Sequence, residues 1–145
     1  MKKRLLFTVL AMVLILGCSK NISHADYGYG DTEDKPYYFS NLNSTGHSNY
    51  RFKYNYSRVY VNPQSGPMIY YTVYAAFSEG GSGLGAVSGT YAIPVNVQAS
   101  ITNTAMDSGR YYVRLNFQRM VTIMNQTTWG YWSPDSTQNY TIYGD

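Results

Sequence analysis

The chain has few of the side chains on which catalytic and metal-binding sites depend. Its 145 residues include 1 cysteine, Cys18, and 2 histidines, His24 and His47. A single cysteine cannot form a disulfide within the chain, and a zinc site would need a cluster of histidines or cysteines that is missing. No serine has an evident histidine base. We therefore expect no metal, no cofactor and no catalytic residue, and we predict that the protein is not an enzyme.

Charged residues are also scarce, at 13% of the chain. Within residues 48–145, the only acids ahead of the terminal Asp145 are Glu79, Asp107 and Asp135. All three lie in turn-like segments, where acids commonly make local hydrogen bonds. Two of them brought together by the fold would form a glycosidase-type carboxylate pair. A small hydrolase is therefore kept as one alternative function.

Long apolar runs are limited to residues 5–16, which follow Lys2, Lys3 and Arg4. A basic end followed by about 7 to 15 apolar residues is the pattern of a secretory signal. As a helix this run would rise about 18 Å, whereas a membrane span must cross about 30 Å. The sequence therefore predicts an exported protein that works outside the cytoplasm.

Two cleavage sites fit this signal. Residues 15–18, Ile-Leu-Gly-Cys, resemble a bacterial lipobox, which would make residues 1–17 the signal and Cys18 the lipidation site. Alternatively, Ser23 and Ala25 place small residues as in an A-x-A-like site, which would remove residues 1–25. The first cut gives a membrane-anchored lipoprotein and the second a free secreted protein. Both stay open.

The net charge is no argument for a nucleic-acid partner. The formal value of +3 equals the charge of the three bases that begin the signal. Once these are removed, the basic and acidic side chains of the remaining chain are equal in number. We therefore expect no nucleic acid among the partners.

Alternation with a period of two dominates the rest of the chain, and no ten-residue helix can be drawn after the signal. Tyr50, Phe52, Tyr54 and Tyr56 alternate with polar residues, which predicts a strand over residues 49–61 with its aromatic face on the core. Residues 68–77 are apolar on both faces, as in a central strand. Residues 88–93 end at Pro94, as in an edge strand.

These patterns predict an all-β protein with a single antiparallel β-sandwich or barrel-like domain of about six to eight strands. The domain is expected over residues 48–145, behind a flexible leader of residues 26–47. Within that leader, residues 37–39 could form a first short strand.

The main anomaly of composition is its 17 tyrosines, together with 2 tryptophans. Tyrosine suits a half-buried pleated surface, so most of these rings are expected in the core or in cross-strand pairs. The aromatic candidates for a binding face for sugars or peptides are Trp129, Tyr131 and Trp132, which lie beside a Ser-Pro turn. Basic candidates on strand faces, suited to anionic envelope polymers or lipid headgroups, are Arg51, Lys53 and Arg114.

Residues 95–117 allow a second interpretation. Small polar and apolar residues alternate on both sides of an Asn/Thr/Asp/Ser/Gly turn, as a membrane-inserting hairpin requires. In that case Arg114 would face the lumen of a pore. This pattern keeps a secreted bacteriocin-like or pore-forming toxin as an alternative function.

Short motifs of the body resemble a family of small secreted proteins from Gram-positive bacteria, described only as a domain of unknown function. They are Tyr50-Arg51, Ser88-Gly89-Thr90, Tyr111-Tyr112 and Gly130-Tyr131-Trp132. The resemblance implies export and a β fold, and no activity. Our leading prediction is an exported non-catalytic β-domain protein with a binding or accessory role at the cell envelope, where its partner could be a polymer or a protein. The sequence leaves its oligomeric state open.

Overall fold

Ten β-strands lie within the part of the chain that the structure describes. A computed structural model describes residues 30–121, 126–138 and 140–144. The strands are β1 (Lys35–Ser40), β2 (Thr45–His47), β3 (Arg51–Phe52), β4 (Val59–Ser65), β5 (Ile69–Ala76), β6 (Gly85–Ile93), β7 (Ala99–Ile101), β8 (Tyr112–Arg119), β9 (Thr127–Ser133) and β10 (Thr141–Tyr143). Among these described residues, no helix is long and apolar enough to cross a membrane.

The strands form two sheets of five. Sheet A has the order β1-β9-β4-β7-β10, and sheet B has the order β2-β8-β5-β6, with β3 also paired to β8. All pairs are antiparallel except β7 and β10, which run parallel. The all-β class is thus confirmed, and the architecture is a sandwich. The predicted central strand is β5, between β8 and β6, and the predicted edge strand is β6.

The core lies between the inner faces of the two sheets. Sheet A contributes Val59, Val61, Ile101 and Trp132, and each of these exposes 2% of its surface or less. Sheet B contributes alternate residues of β5 and β8, namely Ile69, Tyr71, Val73, Val113, Leu115 and Phe117. Fully burying a side chain of this size contributes about 1.5–3 kcal/mol relative to exposure. The sandwich is therefore stabilised mainly by apolar contacts between its sheets.

The folded region starts earlier than the predicted boundary at residue 48. Residues 35–40 pair with β9 over their whole length, and residues 45–47 pair with β8. Both segments belong to the predicted leader, residues 26–47. Tyr37 and Phe39 supply core side chains from this segment. The sandwich therefore has ten strands where six to eight were expected.

The predicted strand over residues 49–61 is interrupted, and its two faces are reversed. β3 ends at Phe52, and Asn55 accepts a hydrogen bond from the Ser57 N–H, a local turn that separates β3 from β4. Lys53 is buried, whereas Tyr54 and Tyr56 are exposed. Alternation predicted the opposite, because it assumes that charged side chains face water.

The hairpin predicted over residues 95–117 does not form. β7 lies in sheet A and β8 lies in sheet B, so the two segments are not hydrogen-bonded to each other. Asn96 has a φ of 64°, and its N–H donates to the Pro63 carbonyl, which places it in a turn rather than a strand. Arg114 lies on β8 with Val113 and Leu115 buried on either side of it.

Candidate binding surface

The three aromatic residues predicted for binding lie on two different faces of sheet A. Trp129 and Tyr131 are two residues apart on β9 and share its outer, half-exposed face. Trp132 points inward and exposes only 2% of its surface. Successive residues of a strand face opposite sides of the sheet. Trp132 is therefore a core residue, and it does not contribute to an exposed contact surface.

A third ring, more exposed than these two, lies on the same outer face. Tyr38 of β1 pairs in register with Trp129 and is 68% exposed. We call Tyr38, Trp129 and Tyr131 the aromatic strip. The Tyr38 and Trp129 rings are 6.4 Å apart and inclined by 23°, while Tyr131 stands at 77° to Trp129 at 5.8 Å. The strip thus offers two nearly parallel rings bounded on one side by a ring set almost upright.

The strip rests on a well-packed support. Below it, Tyr37 stacks on Phe117 at 5.0 Å and donates or accepts a 2.8 Å hydrogen bond with Tyr71. Gly130 lies between Trp129 and Tyr131, where a Cβ would come within 2.3 Å of the Asn62 carbonyl oxygen. Only glycine therefore allows β9 to approach β4 this closely. The strip is held on a paired strand rather than on a loop.

Two of the predicted basic residues belong to a buried ionic cluster, which we call the clamp: Asp31, Arg51, Lys53 and Asp135. Arg51 Nε donates to Asp31 Oδ2 at 2.9 Å, and its Nη1 donates to the Trp132 carbonyl at 2.9 Å. The guanidinium also lies 5.3 Å from the centre of the Trp132 ring. Arg51 therefore fixes residues 31–33 against the sandwich.

Lys53 and Asp135 form the inner half of the clamp. Their side chains are 1% and 0% exposed, and Nζ lies 3.0 Å from Oδ1. Nζ also donates to the carbonyls of Ser57 and Pro134 at 2.6 Å. Burial lowers the pKa of Lys53, and the Asp135 carboxylate partly opposes that change. Both charges have partners, so Lys53 is a structural residue and offers no contact surface.

The last predicted basic residue lies on the other sheet. Arg114 is half-buried on the outer face of sheet B, where its guanidinium lies 5.1 Å from the centre of the Tyr50 ring. Its Nε donates to Asn116 Oδ1 at 3.0 Å. The six predicted residues therefore divide among the strip, the clamp with its adjoining core, and sheet B.

The acids considered for hydrolysis lie in two different settings. Asp135 is fully buried and accepts a hydrogen bond from Lys53 Nζ, while Glu79 and Asp107 are exposed in loops. Within the described ranges, no group of three or more histidines, cysteines, aspartates and glutamates is placed to hold a metal.

Cys18, the two cleavage sites and the signal lie outside the described residues. The absence of activity stays a prediction.

The family assignment rests on most of the chain. Residues 21–136 match a family described as "Protein of unknown function (DUF2712)". The chain belongs to this family. No curated protein and no solved structure matches it. This match confirms the predicted resemblance to a family of unknown function. Gram-positive origin and secretion stay predictions.

Sequence reasoning missed Tyr38 and with it the shape of the strip. Residues 37–39 stood out as aromatic, and period two would have placed Tyr38 opposite Tyr37 and Phe39. What the pattern could not provide was the pairing of β1 with β9, which sets Tyr38 beside Trp129. These residues are about 90 positions apart in the sequence and share no local signal.

Proposed function

We propose that the protein is an exported, non-catalytic binding protein of the cell envelope, and that the aromatic strip binds an envelope polysaccharide. The observation that carries this proposal is the arrangement of Tyr38, Trp129 and Tyr131 on one open sheet face. Exposed tryptophan and tyrosine side chains are enriched among residues that dominate binding energy. Their ring faces also stack on the apolar faces of sugar rings.

The chemistry of the strip favours a polysaccharide over a strongly charged polymer. Its three side chains are uncharged, and the residues in register with Tyr131 on the two neighbouring strands are Pro36 and Asn62. Tyrosine hydroxyls and the indole N–H can still hydrogen-bond to a ligand that stacks on the rings. Binding by this surface should therefore depend little on salt.

Rigidity supports the same conclusion. Aromatic side chains have only two side-chain torsions, so little conformational entropy is lost when they contact a ligand. Here β9, which carries Trp129 and Tyr131, is paired on both sides, by β1 and β4, and β1, which carries Tyr38, is paired along its whole length with β9. A surface that is already formed before binding loses less free energy on association than a mobile loop.

Co-sedimentation of the exported mature protein with purified, insoluble envelope polysaccharide tests the proposal. We expect Trp129→Ala to weaken binding by about 30-fold, as for a residue that dominates an interface. Tyr38→Ser should weaken it too, because Tyr38 extends the platform. Tyr54→Ser is a matched control, since Tyr54 is 58% exposed but contacts Phe52 of sheet B.

The controls decide between the strip and other surfaces. All variants should unfold at the same denaturant concentration as the wild type, within error, before their binding is compared. If Trp129→Ala and Tyr38→Ser bind as tightly as the wild type, the strip is not the binding surface. If no envelope polysaccharide is bound at all, the proposed ligand class is wrong.

A further inference from the structure

A second group of exposed apolar side chains lies at one end of the sandwich, away from the strip. It comprises the exposed side chains of Phe52, Tyr54, Phe77, Leu84 and Tyr111 together with the half-buried Arg110, and we call this group the aromatic tip. Tyr54 and Phe77 expose 58% and 53% of their surfaces. Single exposed apolar residues are normal, but a contiguous group marks a surface that contacts a partner or a membrane.

Ring contacts make the tip continuous. Phe52 lies 4.8 Å from Tyr54 and 5.9 Å from Tyr111, measured between ring centres. The Arg110 guanidinium lies 5.1 Å from the centre of the Phe77 ring. Arg110 and Tyr111 are consecutive, so these contacts join both halves of the group. The tip is built where β3 and β5 end and where β6 and β8 begin.

The N-terminal segment reaches the sandwich beside this tip. The N–H groups of Asp31 and Tyr54 donate to the same oxygen, Oδ2 of Asp135, at 2.9 and 3.1 Å. A Cβ on Gly30 would lie 2.9 Å from the Asn55 side-chain nitrogen. The clamp therefore fixes the first described residues next to Tyr54.

This position restricts the orientation of an anchored protein. If Cys18 carries a lipid, its Cα can lie at most about 43 Å from that of Gly30, even with the chain between them fully extended. The end of the domain that carries the tether reaches the membrane with the least extension of the linking chain. The apolar side chains of the tip are at this same end.

We propose that the aromatic tip rests in the lipid–water interface of the membrane to which the N-terminal segment leads. This inference rests on the envelope location in the proposed function. Tyrosine is favoured at that interface, because its ring is apolar and its hydroxyl can remain in water.

Apolar contact rather than net charge should dominate this docking. Two acids, Glu79 and Asp107, lie in the loops that precede Leu84 and Arg110. They offset the positive charges of Arg110 and Arg114 on this end of sheet B. Docking should therefore persist at 0.5 M salt, where exposed charges are screened over about 4 Å.

Quenching of tryptophan fluorescence by brominated lipids tests the orientation. The exported mature protein is added to vesicles of brominated phosphatidylcholine with about 30% phosphatidylglycerol, a leaflet in the anionic range that basic surfaces meet in cells. Variants Tyr54→Trp and Tyr38→Trp place a reporter on the tip and on the strip, and the wild type gives the baseline from Trp129 and Trp132. We expect added quenching for Tyr54→Trp and none for Tyr38→Trp.

A second measurement covers the form without a lipid, identified by intact mass as starting at Asp26. For this form, Phe77→Ser should lower vesicle association by about tenfold, because the exposed half of the phenylalanine side chain is no longer there to transfer from water into the lipid. Tyr38→Ser is the control and should leave association unchanged. Both assays omit polysaccharide, so their results are separate from the test of the strip.

Three outcomes would overturn the inference. The first is equal added quenching for both reporters, or none above the wild-type baseline. The second is a form starting at Asp26 that associates with vesicles equally well with and without Phe77→Ser. The third is concentration-dependent self-association that Tyr54→Ser abolishes without any lipid quenching, since it would assign the tip to a second copy of the chain.

Discussion

Replacing Lys53 with methionine should remove a large part of the stability of the fold. The ammonium is 1% exposed, and its partners are Asp135 Oδ1 at 3.0 Å and two backbone carbonyls at 2.6 Å. Methionine fills a similar volume but leaves the carboxylate and both carbonyls without this donor. We therefore expect the variant to lose stability through electrostatics rather than through a cavity.

The expected magnitude follows from the burial of both partners. Removing one partner of a buried ion pair costs about 3–5 kcal/mol, because the other charge is left uncompensated. Domains of this size unfold with about 5–15 kcal/mol in total. The backbone N–H groups of Asp31 and Tyr54 still donate to Asp135, which places the expected loss near the lower end of that range, at about 3 kcal/mol.

Urea unfolding at neutral pH, followed by circular dichroism, measures the loss. The double variant Lys53→Met with Asp135→Asn removes both charges, so its loss should be smaller than the sum of the single losses by about 1–3 kcal/mol. Lys35→Met is the control, because Lys35 is about half exposed and pairs with the exposed Glu33. It should not change the midpoint measurably.

A loss below about 1 kcal/mol for Lys53→Met would refute this reasoning. Such a value is typical of exposed ion pairs and would mean that water reaches the clamp. Exact additivity in the double variant would likewise show that the two charges are not coupled. A changed slope of the unfolding transition would indicate a more compact unfolded state or a populated intermediate instead.

Two further predictions concern the support beneath the strip. Burial raises the pKa values of Tyr37 and Tyr71 above 10, so their stabilising effect is present below about pH 10 and is lost as the pH rises beyond it. Replacing one of them with phenylalanine should lower the free energy of unfolding by about 1–3 kcal/mol. Replacing both should lower it by less than the sum of the single losses. The double variant's stability should also depend less on pH above pH 10. Separately, Gly130→Ala should cost about 1–3 kcal/mol through overlap with the Asn62 carbonyl. Gly80→Ala should be neutral, since the atom nearest to a Cβ at this position is Ser78 Oγ at 3.8 Å. Thermal unfolding of both variants checks this.

The class of the fold was predictable because period two is a local property. β5 could be recognised as central from a run that is apolar on both faces, and β6 as an edge strand from the proline that follows it. Neither conclusion needs knowledge of distant residues. The same local rule would have separated Trp129 from Trp132, which are three residues apart on one strand and so face opposite sides, but our prediction placed both on one binding face.

The reversal of residues 51–54 was not predictable in this way. Lys53 is buried because Asp135, 82 positions later, supplies its counter-charge. Tyr54, the next residue, therefore points outward, although burial of its apolar surface area would favour a place in the core. Local hydrophobicity contains no information on an ion pair between residues that are brought together by the pairing of distant strands, here β9 with β4. The assignment of residues 35–47 to a leader has the same cause, since β1 and β2 are stabilised by β9 and β8.

The most direct test of the binding proposal is the accessibility of Trp129 to acrylamide when soluble envelope polysaccharide is added. Trp129 lies half-exposed on the strip, while Trp132 is buried in the core and serves as an internal reference. We predict that the polysaccharide reduces acrylamide quenching in the wild type, and that Trp129→Phe abolishes this reduction. Unchanged quenching at a concentration of soluble polysaccharide that displaces the protein from the insoluble polymer would place the binding surface elsewhere and contradict the account.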